Sequence, residues 1–274
     1  HKILIGPTIE DDDVEEVVKV LKSRLLSMLA GSYGKRFEEE FARKIGVKHA
    51  IAVANGSVAL YVALKACGIG PGDEVIVPSF TFTSTVTSVI YANAIPVFAD
   101  IDPETYTIDP EDVRRKVTDK TKAIIAVHLF GHPAEMDELR EIADEKGLFL
   151  IEDSAQAIGA KYKGEYTGSL GDIAAFSLYA TKNITAGEGG VVTTNDDALA
   201  ERAKLIRSHG ERLRYFSETL GFNFRMTEMQ AALALSQLKK LERFNRERRV
   251  RVKKYLEVLE KYSCLLYTSP SPRD

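Results

Sequence analysis

Cysteine is scarce: the 274-residue chain has two, Cys67 and Cys264. Two thiols so far apart give neither a disulfide framework nor the paired spacing of a zinc site. His49, His128, His132 and His209 are likewise scattered without metal spacing, so no metal is expected. An excess of one charge is missing too. Lys and Arg number 37, Asp and Glu 40, and the net charge is −3, which points away from nucleic acid and from anionic membrane surfaces. No apolar run approaches the ~18 residues of a membrane-crossing helix. The opening His1-Lys2-Ile3-Leu4-Ile5-Gly6 is too short and too polar-flanked for a secretory signal. A cytoplasmic setting is the expectation.

What is present is ordinary globular composition, with 45% hydrophobic and 28% charged residues. The length suits one large α/β domain, or a large domain plus part of a second. Short apolar runs alternate with amphipathic stretches. Ala50–Val53, Glu74–Val77, Pro96–Ala99, Ala123–Val127 and Leu148–Ile151 read as strands. Val58–Ala66, Ser84–Asn93 and Met136–Lys146 read as helices. The strands are nearly continuous in Val, Ile, Ala and Leu, as expected where both faces of a mainly parallel sheet are covered, so the pattern predicts a doubly wound α/β domain. Ala174–Leu178 and Gly190–Thr194 follow with only a loop between them, which predicts a hairpin-like pair and a mixed sheet. Asp197–Ser208 reads as a helix. Thr227-Glu228-Met229-Gln230 is a capping box opening a helix to about Tyr262.

The end of the sequence departs from this pattern. Residues 264–274, from Cys264 through Ser269-Pro270-Ser271-Pro272-Arg273-Asp274, break the helical periodicity abruptly. They resemble a translated sequencing-library adapter and are set aside as a non-native tail; a natural Ser/Pro tail is the alternative. The expectation is a large domain over 1–225, including an N-terminal helical segment, and a long helix over 226–263 that begins an incomplete C-terminal small domain.

In open α/β sheets ligands sit at the carboxyl ends of strands, and four features fall there. Asn55-Gly56-Ser57 opens a helix and suits a phosphate, or is an ordinary cap. Ser79-Phe80-Thr81-Phe82-Thr83 offers an aromatic for a planar ring, or for the core. Glu152-Asp153 puts carboxylates at a strand end, as ligands or as turn residues. Ser177-Leu178-Tyr179-Ala180-Thr181-Lys182-Asn183 runs into Gly187-Glu188-Gly189-Gly190; its lysine is a desolvated amine able to form a Schiff base, or a solvated surface residue. Their order along the chain is what pyridoxal phosphate (PLP) chemistry of fold type I needs. His128 follows a strand and either lines the site or is structural.

Several strings resemble the DegT/DnrJ/EryC1/StrS family of sugar aminotransferases. These are Gly70-Pro71-Gly72-Asp73-Glu74 through Phe82, Asp100-Ile101-Asp102-Pro103-Glu104-Thr105, Ile151-Glu152-Asp153-Ser154-Ala155-Gln156-Ala157, Thr181-Lys182-Asn183 with Gly187-Glu188-Gly189-Gly190, and Gly221-Phe222-Asn223-Phe224-Arg225-Met226. The resemblance implies an aspartate-aminotransferase-like PLP fold of type I, with a mixed, mainly parallel seven-stranded sheet between helices. It implies that Lys182 holds PLP covalently and shuttles the substrate proton, while Asp153 pairs with the pyridinium nitrogen. Gln156 would bond the ring's 3′ oxygen and Phe82 would stack on the ring. Gly56, Ser57 and Ser177 would hold the phosphate, and Asn223 would reach the phosphate of a neighbouring subunit in a homodimer with shared sites. The implied reaction is ping-pong transamination from glutamate to the keto group of a nucleotide-linked sugar.

Two departures stand out. The cup reads Asn55-Gly56-Ser57 where the family often has Ser-Gly-Thr, which keeps a hydroxyl. Leu25–Gly31 replaces a more usual Trp-Leu loop, leaving the sugar open. Competing readings are a PLP enzyme acting on a cyclitol or other cyclic ketone, a sugar dehydratase, in which a histidine replaces the lysine, and a catalytically inert or regulatory homologue. Lys182 argues against the dehydratase.

Overall fold

The computed structural model describes residues 7–259. The adapter-like tail and Cys264 lie outside them. The chain opens with α1 (Asp11–Ser23) and α2 (Tyr33–Ile45). β1 (His49–Val53), α3 (Gly56–Ala66), β2 (Glu74–Pro78), α4 (Thr83–Tyr91), β3 (Ile95–Ala99), α5 (Pro110–Lys116), β4 (Thr121–Val127), α6 (Met136–Lys146) and β5 (Phe149–Asp153) then alternate strand with helix. A small hairpin of β6 (Lys161–Tyr162) and β7 (Glu165–Tyr166) precedes β8 (Ile173–Ser177), β9 (Gly190–Thr194) and α7 (Asp197–Arg207). A second hairpin, β10 (Glu211–Leu213) with β11 (Phe216–Ser217), leads to α8 (Glu228–Leu259).

Seven strands form one sheet in the order β1-β9-β8-β5-β4-β2-β3. β9 pairs antiparallel with both β1 and β8, and every other pairing is parallel. The expected mixed, mainly parallel sheet and the hairpin-like pair are both present. β4, β5, β8 and β9 are buried along almost their whole length, which is why they carry apolar runs and not an alternating pattern.

Side-chain alternation still sorts the two faces. Ile51, Val75, Ile125, Ile151 and Ala175 point toward α3, α4 and α7. Ala52 and Phe176 pack against α2 and α8, and Ile76, Ile124 and Leu150 against α5 and α6. α8 begins with the expected capping box: Gln230 N–H donates to Thr227 Oγ1 at 3.3 Å and Thr227 N–H to Gln230 Oε1 at 2.9 Å. From Ala231 to Phe244 one face, with Ala231, Ala234, Leu235, Leu238, Leu241 and Phe244, is buried in the core; beyond Arg246 its Val252, Tyr255 and Leu256 are exposed.

α5 and the two hairpins were not anticipated. α5 has seven residues, too few to show periodicity, although Asp109-Pro110 is a good start signal: the Asp109 carboxylate accepts from Glu111 N–H at 2.9 Å.

Candidate active site

The strand register brings the site together. Val53 of β1 lies opposite Gly190 of β9, Gly190 opposite Ser177 of β8, and Ala175 and Val127 flank Asp153 of β5. The carboxyl ends of four parallel strands therefore meet along one edge. There they border a cavity of about 670 Å³, which Gly56, Ser57, Phe82, Gln156, Asp153, Ser177 and Lys182 all line.

The cup forms at the start of α3. Asn55 is the N-cap, its Oδ1 accepting from Val58 N–H at 2.9 Å, so the cap reading holds for that residue. Gly56 and Ser57 occupy the first turn, where backbone N–H groups have no helical acceptor, and the helix dipole favours an anion. A Cβ at Gly56 would stand 2.7 Å from the Cβ of Ser177, and one at Gly190 2.3 Å from the carbonyl oxygen of Asn55. Glycine at both positions lets β8 and β9 close on the cup.

Glu152 and Asp153 separate across the sheet. Glu152 is fully buried and accepts from the N–H groups of Gly168, Leu170 and Gly171 at 2.6–2.8 Å. His128 Nδ1 accepts from Ala134 N–H at 3.1 Å, so its proton sits on Nε2, which donates to Glu152 at 2.9 Å. His128 is a structural histidine, 0% exposed. Asp153, 6% exposed, turns to the cavity. Thr85 Oγ1 donates to its Oδ2 at 2.8 Å and Ala155 N–H to its Oδ1 at 3.1 Å. Burial pushes the Asp153 carboxyl above the usual carboxylate range, against the pull of these two bonds.

Lys182 follows β8, and its amide donates to Tyr179 O at 2.9 Å. Burial lowers its amine below the ordinary lysine value, opposed by the Asp153 charge. Lys182 is half-buried and lines the cavity. Gln156 Oε1 accepts from Phe130 N–H at 2.7 Å, which leaves its amide NH₂ as a free-facing donor. Phe82 is 69% exposed at the head of α4, so it is not a core aromatic. Asn223 stands apart from the cavity, exposed on a segment bridged to Ser208. Sequence reasoning missed Thr85, fully buried against Asp153, and Ser84, whose hydroxyl meets that of Ser57 at 2.7 Å. Both lie just after the Ser79–Thr83 string. Glu188 and Tyr179 also line the cavity.

The profile of the DegT/DnrJ/EryC1/StrS aminotransferase family matches residues 7–274. The chain belongs to this family. It is 45% identical over 262 residues to a pleiotropic regulatory protein of Geobacillus stearothermophilus, covering 94% of this chain and 70% of that one. It is 45% identical over 239 residues to a GDP-perosamine synthase of Caulobacter vibrioides, covering 86% and 64%. The crystal structure of an aminotransferase from Psychrobacter cryohalolentis superposes with a TM-score of 0.91 at 40% identity, over 96% of this chain and 70% of that one. The chain thus spans about two thirds of the length of these relatives.

The family's cofactor is PLP, and its fold is type I. The residues here fit that group. A poorly solvated carboxylate, a poorly solvated amine and a helix N-terminus with adjacent hydroxyls border one cavity, which matches a cofactor carrying a ring nitrogen, an aldehyde and a phosphate. No helix among the described residues is long and apolar enough to cross a membrane, and no group of His, Cys, Asp and Glu there is arranged to hold a metal ion.

Proposed function

We propose that the chain is a PLP-dependent aminotransferase that moves an amino group from glutamate to the keto group of a nucleotide-linked sugar. The observation that carries this reading is that Lys182 and Asp153 border one cavity together with the helix N-terminus at Gly56 and Ser57, and burial lowers the Lys182 amine toward the neutral form its role needs. Bound PLP supplies an electron sink for negative charge on the substrate carbon. Asp153 would hold the proton of the ring nitrogen, and Thr85 fixes the carboxylate that does so. Lys182 Nζ would anchor the cofactor, then take the proton of the substrate carbon and return it. A neutral amine is the competent base, and burial favours it. Gly56, Ser57 and Ser177 would bind the phosphate, Gln156 would donate to the 3′ oxygen, and Phe82 would cover the ring. The sugar is carried by the synthase relative's name together with the family's.

The reading includes a homodimer in which Asn223 reaches the partner's phosphate, consistent with its position outside the cavity of its own chain. It includes a cytoplasmic setting, and a second domain that begins with α8 and follows a large domain ending near 225. The test is the visible absorbance of the purified protein with PLP, before and after glutamate, with Lys182→Ala as control. A yellow band that needs Lys182 and bleaches with glutamate supports the reading. A protein extended to the length of its relatives that gives no such band overturns it.

A further inference from the structure

The turn that carries Lys182 is tied to α8 by two side chains of that helix, Asn245 and Arg248, that the sequence motifs do not include. Asn183 Nδ2 donates to Asn245 Oδ1 at 2.7 Å. Asn245 Nδ2 donates to the carbonyl of Ile158 at 3.0 Å. Because a carbonyl can only accept, that bond fixes which end of the Asn245 amide faces Asn183. Arg248, one helical turn further, donates to the backbone carbonyl of Asn183 at 3.1 Å. Asn245 is 7% exposed, and a Cβ at Gly159 would stand 2.7 Å from its Nδ2. Glycine at 159 therefore leaves the space that the Asn245 amide fills.

The consequence concerns geometry at the site. Ile158 lies five residues past Asp153 and two past Gln156, on the segment that leaves β5; Asn183 is the neighbour of Lys182. Asn245 bridges these two segments, which do not otherwise share a side-chain hydrogen bond among the described residues. A lysine on a turn has little of its own to hold it: within 179–184 the one backbone bond runs from Lys182 N–H to Tyr179 O. Reactive groups must be held to about 0.5 Å to be productive.

We propose that Asn245 is a positioning residue for Lys182, acting through Asn183 with Arg248 in support, and that this clamp sets the distance between the Lys182 turn and the Asp153 segment. The proposal rests on Lys182 being the reactive amine of the site.

The test uses the cofactor-free full chain. Lys182 is acylated by an amine-selective reagent across a pH series, and the modified peptide is quantified by mass spectrometry with exposed Lys22 as internal reference. In the wild type Lys182 reacts with a lower pH midpoint than Lys22. Asn183→Ala and Asn245→Ala are each expected to raise the Lys182 midpoint by about one unit, a tenfold fall in rate at fixed neutral pH. The double variant is expected to do no more than Asn245→Ala alone, because that change already removes the Asn183–Asn245 bond along with the bond to Ile158. A Lys182 midpoint that stays put in variants whose circular dichroism is native overturns the proposal, and so do effects that simply add. Should Asn245→Ala not fold, Asn183→Ala, a half-buried change that leaves α8 intact, decides alone. Acylation needs no cofactor, so a wild type that fails to bind PLP counts against the proposed function and not against the clamp.

Discussion

Glu152 and Asp153 are consecutive residues of β5, yet one carboxylate is sealed in the protein by four donors and the other faces the cavity with two. Strand alternation separates them, and the partners then define them: a saturated anion is structural, while one with spare lone pairs and little water is available to a ligand.

Asp153→Asn follows from that difference. Burial holds the folded-state carboxyl above its ordinary value of 3.8. The unfolded chain therefore gives up this proton first, so stability falls as pH rises through that window, and the penalty persists at neutral pH. Asparagine removes the buried charge, and the Thr85 hydroxyl can rotate to accept from the new amide. The cofactor-free variant is expected to melt a few degrees above the wild type by calorimetry at pH 7, while transamination drops on the order of a hundredfold or more. A variant less stable than the wild type would mean that the charge is not the burden described.

Glu152→Gln should act in the opposite sense. Its amide end would face N–H donors that can only donate, leaving buried groups unpaired. A loss on the order of 3 kcal/mol is expected in denaturant unfolding. Because the side chain points away from the cavity, PLP affinity in the folded fraction should stay within about twofold.

Much of this was legible beforehand. The apolar runs of β1, β2, β4 and β5 and the span of α6 could be read because buried strands and an amphipathic helix write their environment into composition. Strand ends marked Lys182, Asp153 and Gly56 as candidates, but each kept a bland alternative, and only the resemblance to the family gave them roles. What could not be read is contact between distant segments. Nothing local marks Thr85 as the partner of Asp153, 68 residues away, or Asn245 as the partner of Asn183, 62 residues away. His128 showed its strand-end position but not its Glu152 partner, so its structural role stayed one of two readings until the fold closed.

Gly56→Ala tests the cup. In the first turn of a helix alanine should help by somewhat under about 1 kcal/mol. Here the added methyl meets Ser177 at 2.7 Å, and the Ser177 backbone at 3.2 Å belongs to a central strand that cannot retreat. The clash should win, with a net cost of about 1–3 kcal/mol in thermal unfolding and at least a tenfold weaker PLP affinity by fluorescence titration. Serine to alanine at Ser57, which removes a hydroxyl without adding bulk, should weaken PLP without that stability cost.

Lys182→Met isolates the amine. The folded-state amine titrates below 10.5, because burial outweighs the attraction of Asp153. Between the depressed value and 10.5 the unfolded lysine holds a proton that the folded one has released, so stability from this group rises with pH across that window and is lost as pH falls through the lower value. Subtracting the unfolding free energy of Lys182→Met from that of the cofactor-free wild type cancels the other lysines. The difference is expected to climb toward alkaline pH and to level off near 10.5. A flat difference would show that Lys182 is solvated like a surface lysine, and with it would go the argument that this amine is neutral enough to serve as the base.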